Sequence, residues 1–497
     1  MKLILVWPDK GQQFIHLISE LKKHNHEIVY FVGSEGADEF KPPEAIFHFF
    51  GDAMNGRPAA GIDMSDFLPP GTDLIEKLYR TESLTLTMLN NLVPMNLVFK
   101  DEVNRRKHFY YHLVQYWFGV LKKYQPEAVI LSYIPHNSYD FVLYSLAKLL
   151  GIKVLTFVDT RIPGRLLPLK DFWLGSERLQ KELEFNREKN FSVDDLPEDI
   201  RKYYLRTTKK DFNEMPGNLR FLKKKYSLVD PLFISKVRAS IQDGTIFWKS
   251  FGYLRWKWGS RNYRRWIKKL FFNISYAVQD NLKKEYRSFE SAPDFSKKFI
   301  YVALQVQPEC STAPQGDVFV DQILMLETLS AALPENWIIY VKEHPLQWLR
   351  FGLGFSNYKN RGYYQKISEI KNVKIIPVET NSYRLIKESQ AVATASGAPG
   401  WEATLWSKPA IIFGYPWYLD CPGIFLVRDV SSCRDAVNKI VNGFKVDPQL
   451  TINYLKSLGK AGIRGYRAPS AGEGSDLSQS ESMKNIADFI AAELPKL

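Results

Sequence analysis

The sequence predicts two α/β domains in tandem, each a doubly wound parallel sheet with helices on both faces, joined by a helical insertion. Three observations predict it. At 497 residues the chain exceeds what one core supports, because single cores stop growing beyond roughly 250–300 residues. Short apolar runs alternate with amphipathic helical patterns in two separate regions, as strands buried on both faces require. Between those regions, from Ser176 to about Pro293, strand signals give way to charged, aromatic helical stretches.

The elements follow in order. KLILV (2–6), the turn PDKGQQ, the helical pattern FIHLISELKKH and the strand EIVYFVG form a strand, turn, helix, strand unit. AVILSYI (128–134), the amphipathic SYDFVLYSLAKLLG (138–151) and KVLTFVD (153–159) continue it, giving a first domain over 1–175. Residues 176–297 form the connector. Alternation resumes with KFIYVALQV (298–306), a helix over 318–333, NWIIYVKE (336–343), VKIIPV (373–378), YRLIKES (383–389), AVATAS (391–396) and PAIIFG (409–414), giving a second domain over 298–447. The remainder, 448–497, reads as a helical tail. Its stretch RAPSAGEGSDLSQS (467–480) is small and polar, as a mobile linker is, and a terminal helix follows with Ser480 or Ser482 as cap.

The composition, 45% apolar and 24% charged, suits a soluble protein, and no apolar run approaches the roughly 20 residues that span a bilayer. MKLILVWPDKG is too short in its apolar part for a signal peptide, which predicts a cytoplasmic location. Cys310, Cys421 and Cys433 lie far apart and outside any CxxC pattern, so neither a disulfide framework nor a zinc site is expected.

The net charge of +13 implies an anionic partner. It is concentrated between Trp248 and Phe272, where Arg255, Lys257, Arg264 and Arg265 interleave with Trp248, Trp256, Trp258 and Trp266 and no acid intervenes. Cations that meet phosphates beside indoles that settle at the water boundary suit an anionic membrane surface. A solvated helical face with its aromatics packed inward has the same composition. No nucleic-acid recognition module accompanies the patch, so nucleic acid is not an expected partner.

Tandem doubly wound domains bind ligands beyond the carboxyl ends of their strands, facing the cleft between them. Three strand ends of the second domain carry polar groups suited to phosphate. The first is LQVQPECSTAPQGDVF (304–319), with Glu309, Ser311 and Thr312 ahead of a helix start. The second is YVKEHP (340–345), where Lys342 and His344 close an apolar strand and can stabilise a departing phosphate by charge and hydrogen bonding. The third is ATASGAPGWEATLWSKPAIIFG (393–414), where Ser396 and Gly397 lead into a helix whose first turns carry Glu402, a carboxylate able to accept from ribose hydroxyls. Each segment alone is equally consistent with an ordinary capped loop.

Together these segments, with Asp321–Gln322, resemble the capsule polysaccharide biosynthesis family, bacterial glycosyltransferases of the two-domain GT-B type that include transferases using CMP-Kdo. The resemblance is close over about Tyr301 to Gly414 and looser at PHNSYD (135–140) and TRIPGR (160–165). It implies a GT-B-like fold in which the second domain holds a nucleotide sugar, the first holds a glycan or glycolipid acceptor, and no metal ion or other cofactor is needed. It also implies that His344 contacts the donor phosphate with Lys342 assisting, that Ser396 and Gly397 lie beside that phosphate, and that Glu402 binds the ribose. Glu309, Ser311 and Thr312 would face the sugar or phosphate. Ala398 stands where the family typically has threonine.

The first domain would then supply the acceptor site from Lys10, Gly11, His136, Asp140, Arg161 and Arg165, with Asp159 at the end of a buried strand as base or nucleophile. An aspartate capping the turn of TRIPG fits Asp159 equally well. The expected function is metal-independent transfer of a sugar, CMP-Kdo or a related CMP-activated acid sugar being the first donor to test. The alternatives are a CDP-polyol phosphotransferase of the teichoic-acid type and a non-catalytic assembly subunit. A peripheral position at the inner membrane face is part of the same expectation.

Overall fold

The computed structural model describes residues 1–8, 14–91, 103–212, 282–307, 309–348, 359–467 and 472–496. Lys10, Gly11 and the basic aromatic patch (Trp248, Arg255, Trp256, Lys257, Trp258, Arg264, Arg265, Trp266) lie outside the described residues. Two sheets organise the protein. The first comprises β1 (Lys2–Trp7), β2 (Glu27–Gly33), β3 (Ile46–Phe49), β4 (Ala128–Leu131), β5 (Lys153–Asp159) and β6 (Arg165–Leu169). The second comprises β7 (Phe299–Ala303), β8 (Ile338–Lys342), β9 (Val373–Ile375), β10 (Ala391–Thr394), β11 (Ala410–Ile412) and β12 (Ile424–Leu426). A short strand near the C-terminus, β13 (Ile463–Arg464), returns to the first sheet.

The strand orders are β13-β6-β5-β4-β1-β2-β3 and β12-β11-β10-β7-β8-β9. In each, the chain starts in the middle, builds outward to one side and then crosses to the other, so a topological switch lies between β1 and β4 and between β7 and β10. Strands such as β4, β6, β7 and β10 are buried at every residue, because helices cover both faces. These are two Rossmann-like units in the GT-B-like arrangement, and side chains of one reach the other across the cleft between them.

Three expectations are corrected. The first sheet is not parallel throughout. β6 runs antiparallel to β5, because the turn between them, Thr160–Gly164, is far too short for the crossover that a parallel partner demands. Second, the C-terminal segment is not a separate tail. β13 pairs antiparallel with β6, and helix Gln479–Glu493 packs on helix Phe14–Lys23, with Ile486 and Ile490 in one cluster with Leu17 and Leu21. The described part of 467–480 is tied down by Arg464–Asp476 at 2.6 Å and by the Tyr466 hydroxyl donating to the Leu477 carbonyl. The cap of the last helix is Ser478, whose hydroxyl meets the Glu481 carboxylate and amide in a capping box. Third, the second domain begins before residue 298. Tyr286, on helix Lys283–Ser288, is fully buried in the core of the second sheet and donates to the Ile376 carbonyl at 2.6 Å.

Helices Glu177–Asn186 and Glu198–Thr207, from the start of the expected connector, pack with helix Pro448–Ala461 in a cluster that runs from the first sheet to the inner face of the second. Cys310, Cys421 and Cys433 are free thiols.

Candidate functional site

The exits of β7, β8 and β10 meet at the switch point of the second sheet. β8 ends at Lys342, and the next two residues turn in opposite directions. Glu343 points into the protein and is completely buried. Its carboxylate accepts from the Tyr364 hydroxyl at 2.6 Å and the His344 amide at 2.7 Å, and it pairs with Lys359. A buried carboxylate demands such partners. Glu343, between Lys342 and His344 in sequence, is therefore the anchor of the loop, and Tyr364 and Lys359, which sequence reasoning passed over, complete the anchor.

His344 follows on the cleft side. Its Nδ1 accepts from the Leu346 amide at 3.2 Å, which leaves the ring proton on Nε2. Burial, together with the charges of Lys359, Lys342 and Arg161, pulls its pKa down to about 4. At neutral pH the ring is uncharged and presents one N–H donor. Lys342, nearly buried, donates to the Thr380 carbonyl at 2.7 Å and the Ser382 hydroxyl at 2.5 Å. Burial lowers it to about 8, with Glu379 and Glu402 pulling the other way.

The loop after β7 is cross-tied to both neighbours. Gln347 and the Gln307 main chain exchange hydrogen bonds at 3.1 and 3.4 Å, which joins this loop to that of His344. The Ser396 amide donates to Gln305 at 3.2 Å and its hydroxyl to the Ser311 carbonyl at 2.6 Å. Ser396 thus splices two loops with its side chain, instead of offering the hydroxyl to a ligand. Thr312 is fully buried and its hydroxyl donates to the Glu309 carbonyl at 2.8 Å, so its expected contact with donor is replaced by a turn inside the loop. Ser311 remains on the surface of that loop and donates to the Glu309 carboxylate at 3.3 Å. Glu309 is crowded by protein atoms yet reached by solvent. The protein around it raises its carboxyl above the ordinary value, against the pull of Ser311 and Arg161.

Gly397 caps helix Ala398–Leu405. A Cβ there would stand 2.8 Å from the Thr394 hydroxyl and 3.2 Å from the Gln305 amide nitrogen, so only glycine lets the β7 and β10 exits approach this closely. One turn on, Glu402 faces the cleft, and burial raises its carboxyl against the pull of Arg161 and Lys342.

The first domain contributes unequally. Arg161, on the turn after β5, stands with its guanidinium 3.9 Å from the Glu402 carboxylate and also acts on His344 and Glu309. Asp159 pairs with Arg467 at 2.9 Å, and the same guanidinium covers the Tyr133 ring at 4.0 Å. Tyr133 feels Cys310, Asp159, Arg467 and Glu309, so the β4 exit faces the Glu309 loop. His136 lies beside Tyr133, its ring centre 5.6 Å away, and its Nδ1 donates to the Ile134 carbonyl at 2.8 Å. Nε2 of the neutral ring is then an acceptor, and burial keeps that ring's pKa low.

Two expected acceptor residues are elsewhere. Asp140 accepts from the Asn137 amide and side chain at 2.8 and 2.7 Å, a helix cap beneath the loop. Burial raises its pKa to about 7. Arg165 is buried and grips Asp199 through two hydrogen bonds of 2.6 and 3.0 Å while donating to the Gly459 carbonyl at 2.8 Å. Its strand pairing turns it away from the cleft. Arg467 was missed because it stands 308 residues beyond its partner Asp159, within a segment whose composition suggested a linker. Among the described residues no group of three or more His, Cys, Asp or Glu is arranged to hold a metal.

Residues 255–438 match the family model described as capsule polysaccharide biosynthesis protein, the family that the motifs resemble. No curated protein sequence matches the chain. Among solved structures, a KpsC beta Kdo 2,7 transferase from Thermosulfurimonas dismutans is similar at 12% identity and TM-score 0.30, over 76% of this chain and 89% of that one. The beta Kdo 2,4 transferase of KpsC from the same organism gives 11% and 0.30, over 67% and 79%. UDP-GlcNAc 2-epimerase from Neisseria meningitidis, bound to UDP-GlcNAc, gives 11% and 0.27 over 100% of both chains. Likeness at this level bears on neither activity nor substrate.

Proposed function

We propose that the protein is a glycosyltransferase of capsule or surface polysaccharide biosynthesis that binds a nucleotide sugar at the carboxyl edge of the second sheet and an acceptor against the first. One observation carries this reading: His344, Lys342, Glu309, Ser311 and Glu402, spread over three segments of the second domain, converge with Arg161 of the first. A nucleotide diphosphate or monophosphate seated there receives the His344 Nε2–H and the field of Lys342 and Arg161. As the bond from the anomeric carbon to the phosphate oxygen breaks, the electron pair leaves with the nucleotide, and these groups stabilise the charge that develops on it. Glu402 takes the ribose hydroxyls. Glu309, with its raised pKa, is the carboxylate best placed to exchange a proton at the sugar or acceptor, and His136 and the Asp159–Arg467 pair line the acceptor side.

The match of residues 255–438 to capsule polysaccharide biosynthesis supports the pathway class, and the donor proposed first is CMP-Kdo or a related CMP-activated acid sugar. Because fixed cations and donors stand where the phosphate would lie, the transfer is proposed to run without a metal ion, so excess chelator should leave turnover unchanged. A thermal-shift screen of CMP, CDP, UDP, GDP and dTDP tests the donor, since a ligand of the native state raises the melting temperature. Indifference to all five would sink the reading. Release of CMP from CMP-Kdo, absent in His344→Ala, would support it.

No helix among the described residues is long and apolar enough to cross a membrane. The proposed peripheral contact with anionic lipid through the patch around Trp256 is tested by pelleting with phosphatidylglycerol vesicles, and absence of salt-sensitive binding would remove it.

A further inference from the structure

A second contact joins the domains away from Arg161 and Glu402. Arg80, at the start of helix Tyr79–Asn91 in the first domain, donates from Nε and Nη2 to both oxygens of Asp317 in the second, at 3.2 and 2.8 Å. Its guanidinium lies 3.8 Å over the Trp173 ring. Trp173 in turn meets Tyr415 of the second domain edge-on, 4.7 Å between ring centres, and Arg428 covers Tyr415 at 4.0 Å. Nearby, Gln180 donates to the Asp420 carboxylate at 3.3 Å. Exposed ion pairs contribute little on their own, but a planar fork that is both bidentate and stacked is a more specific device.

What Arg80 holds is the far end of the loop that carries Glu309. Asp317 has φ +50°, in the left-handed region that few residues other than glycine, asparagine and aspartate adopt readily. Its amide donates to the Pro314 carbonyl at 2.9 Å. The Tyr415 amide donates to the Gln315 carbonyl at 2.8 Å, and the Gln315 side chain donates back to the Tyr415 carbonyl at 2.9 Å. Asp317 is thus tied to Pro314 and Tyr415 to Gln315, both within the loop.

We propose that Arg80 and Asp317 are positioning residues, an interdomain clasp that holds the loop Glu309–Gly316 in register with Arg161 and Glu402. The inference rests on the reading of that loop as part of the donor site, and its test does not need the donor to be known. Amide exchange over Glu309–Gly316 is compared in the wild type, Arg80→Ala, Asp317→Asn and the double variant, with β13 as internal reference. Asparagine keeps the shape and the left-handed backbone of Asp317, so Asp317→Asn folds even where Arg80→Ala does not.

The expected result is several-fold faster exchange in the loop with β13 unchanged, a larger radius of gyration in solution scattering, a double variant no worse than the poorer single one, and partial recovery in Arg80→Lys, which keeps the charge and loses the fork. Unchanged loop exchange in folded Asp317→Asn, or effects of the two substitutions that simply add, would overturn the clasp. CMP serves as the ligand probe in parallel. Its failure to bind the wild type counts against the proposed donor, while the exchange and scattering still judge the clasp.

Discussion

The guanidinium of Arg161 stands 3.9 Å from the carboxylate of Glu402, one from the first domain and one from the second. Each changes the chemistry of the other's neighbours. Arg161 opposes the rise that burial imposes on Glu402, and it helps keep the His344 ring uncharged. Arg161→Ala is therefore expected to raise the pKa of both groups. On the proposed role of Glu402 as the ribose-binding carboxylate, the acidic limb of nucleotide affinity should move to higher pH in the variant. Isothermal titration with the nucleotide selected by the thermal-shift screen, run from pH 5 to pH 8, checks it.

His344→Ala removes the Nε2–H proposed to meet the leaving phosphate while leaving the Glu343 anchor intact. Loss of a single preorganised donor costs roughly 10²–10³-fold in kcat. The variant is expected to fall in that range with its melting temperature little changed. A normal rate would transfer the role to another group.

His48 offers a stability test remote from the cleft. It is buried, its Nδ1 lies 2.8 Å from the Tyr30 hydroxyl and its Nε2 donates to the Arg57 carbonyl at 2.9 Å. Burial pulls its pKa down to about 4. A histidine that titrates near 6.5 when unfolded and near 4 when folded leaves the unfolded chain with more bound protons in between, so stability rises with pH across that window. On acidification the stabilisation is lost from about pH 6.5 downward and the loss levels off below about pH 4, a change on the order of 1–3 kcal/mol. Urea unfolding of wild type and His48→Gln at pH 7 and pH 4.5 should show a smaller pH difference in the variant.

Arg165 was expected to grip an acceptor and instead grips Asp199. Arg165→Ala takes the bidentate partner from that aspartate and leaves it Arg464 at 3.7 Å, at a cost of about 1–3 kcal/mol. Chemical denaturation should show that loss, and nucleotide affinity should be unchanged in the folded fraction. An affinity loss without destabilisation would return Arg165 to the binding site.

The sequence by itself determined the two doubly wound units and which strand ends of the second carry the candidate site. Strand spacing, the glycine at 397 and the polar run after each strand are local signals. Parallel strands that end at one edge bring such signals together without further instruction. That is why Lys342, His344, Glu309 and Glu402 could be read as neighbours before any coordinates.

Only the tertiary structure decided which of the polar groups face the cleft and which are spent inside the protein. Glu343 and His344 are adjacent in sequence and equally polar, yet a single residue's step places one in the interior with Tyr364 and Lys359 and the other on the cleft. The same holds for Thr312 and Ser396, whose hydroxyls go to carbonyls across a turn or a neighbouring loop. The acceptor side was less legible still. Arg165 is turned inward because β6 folds back against β5, and Asp159 is paired with Arg467 because β13 brings the C-terminal segment home to the first sheet. Those pairings depend on contacts between residues hundreds of positions apart, where periodicity and composition carry no signal.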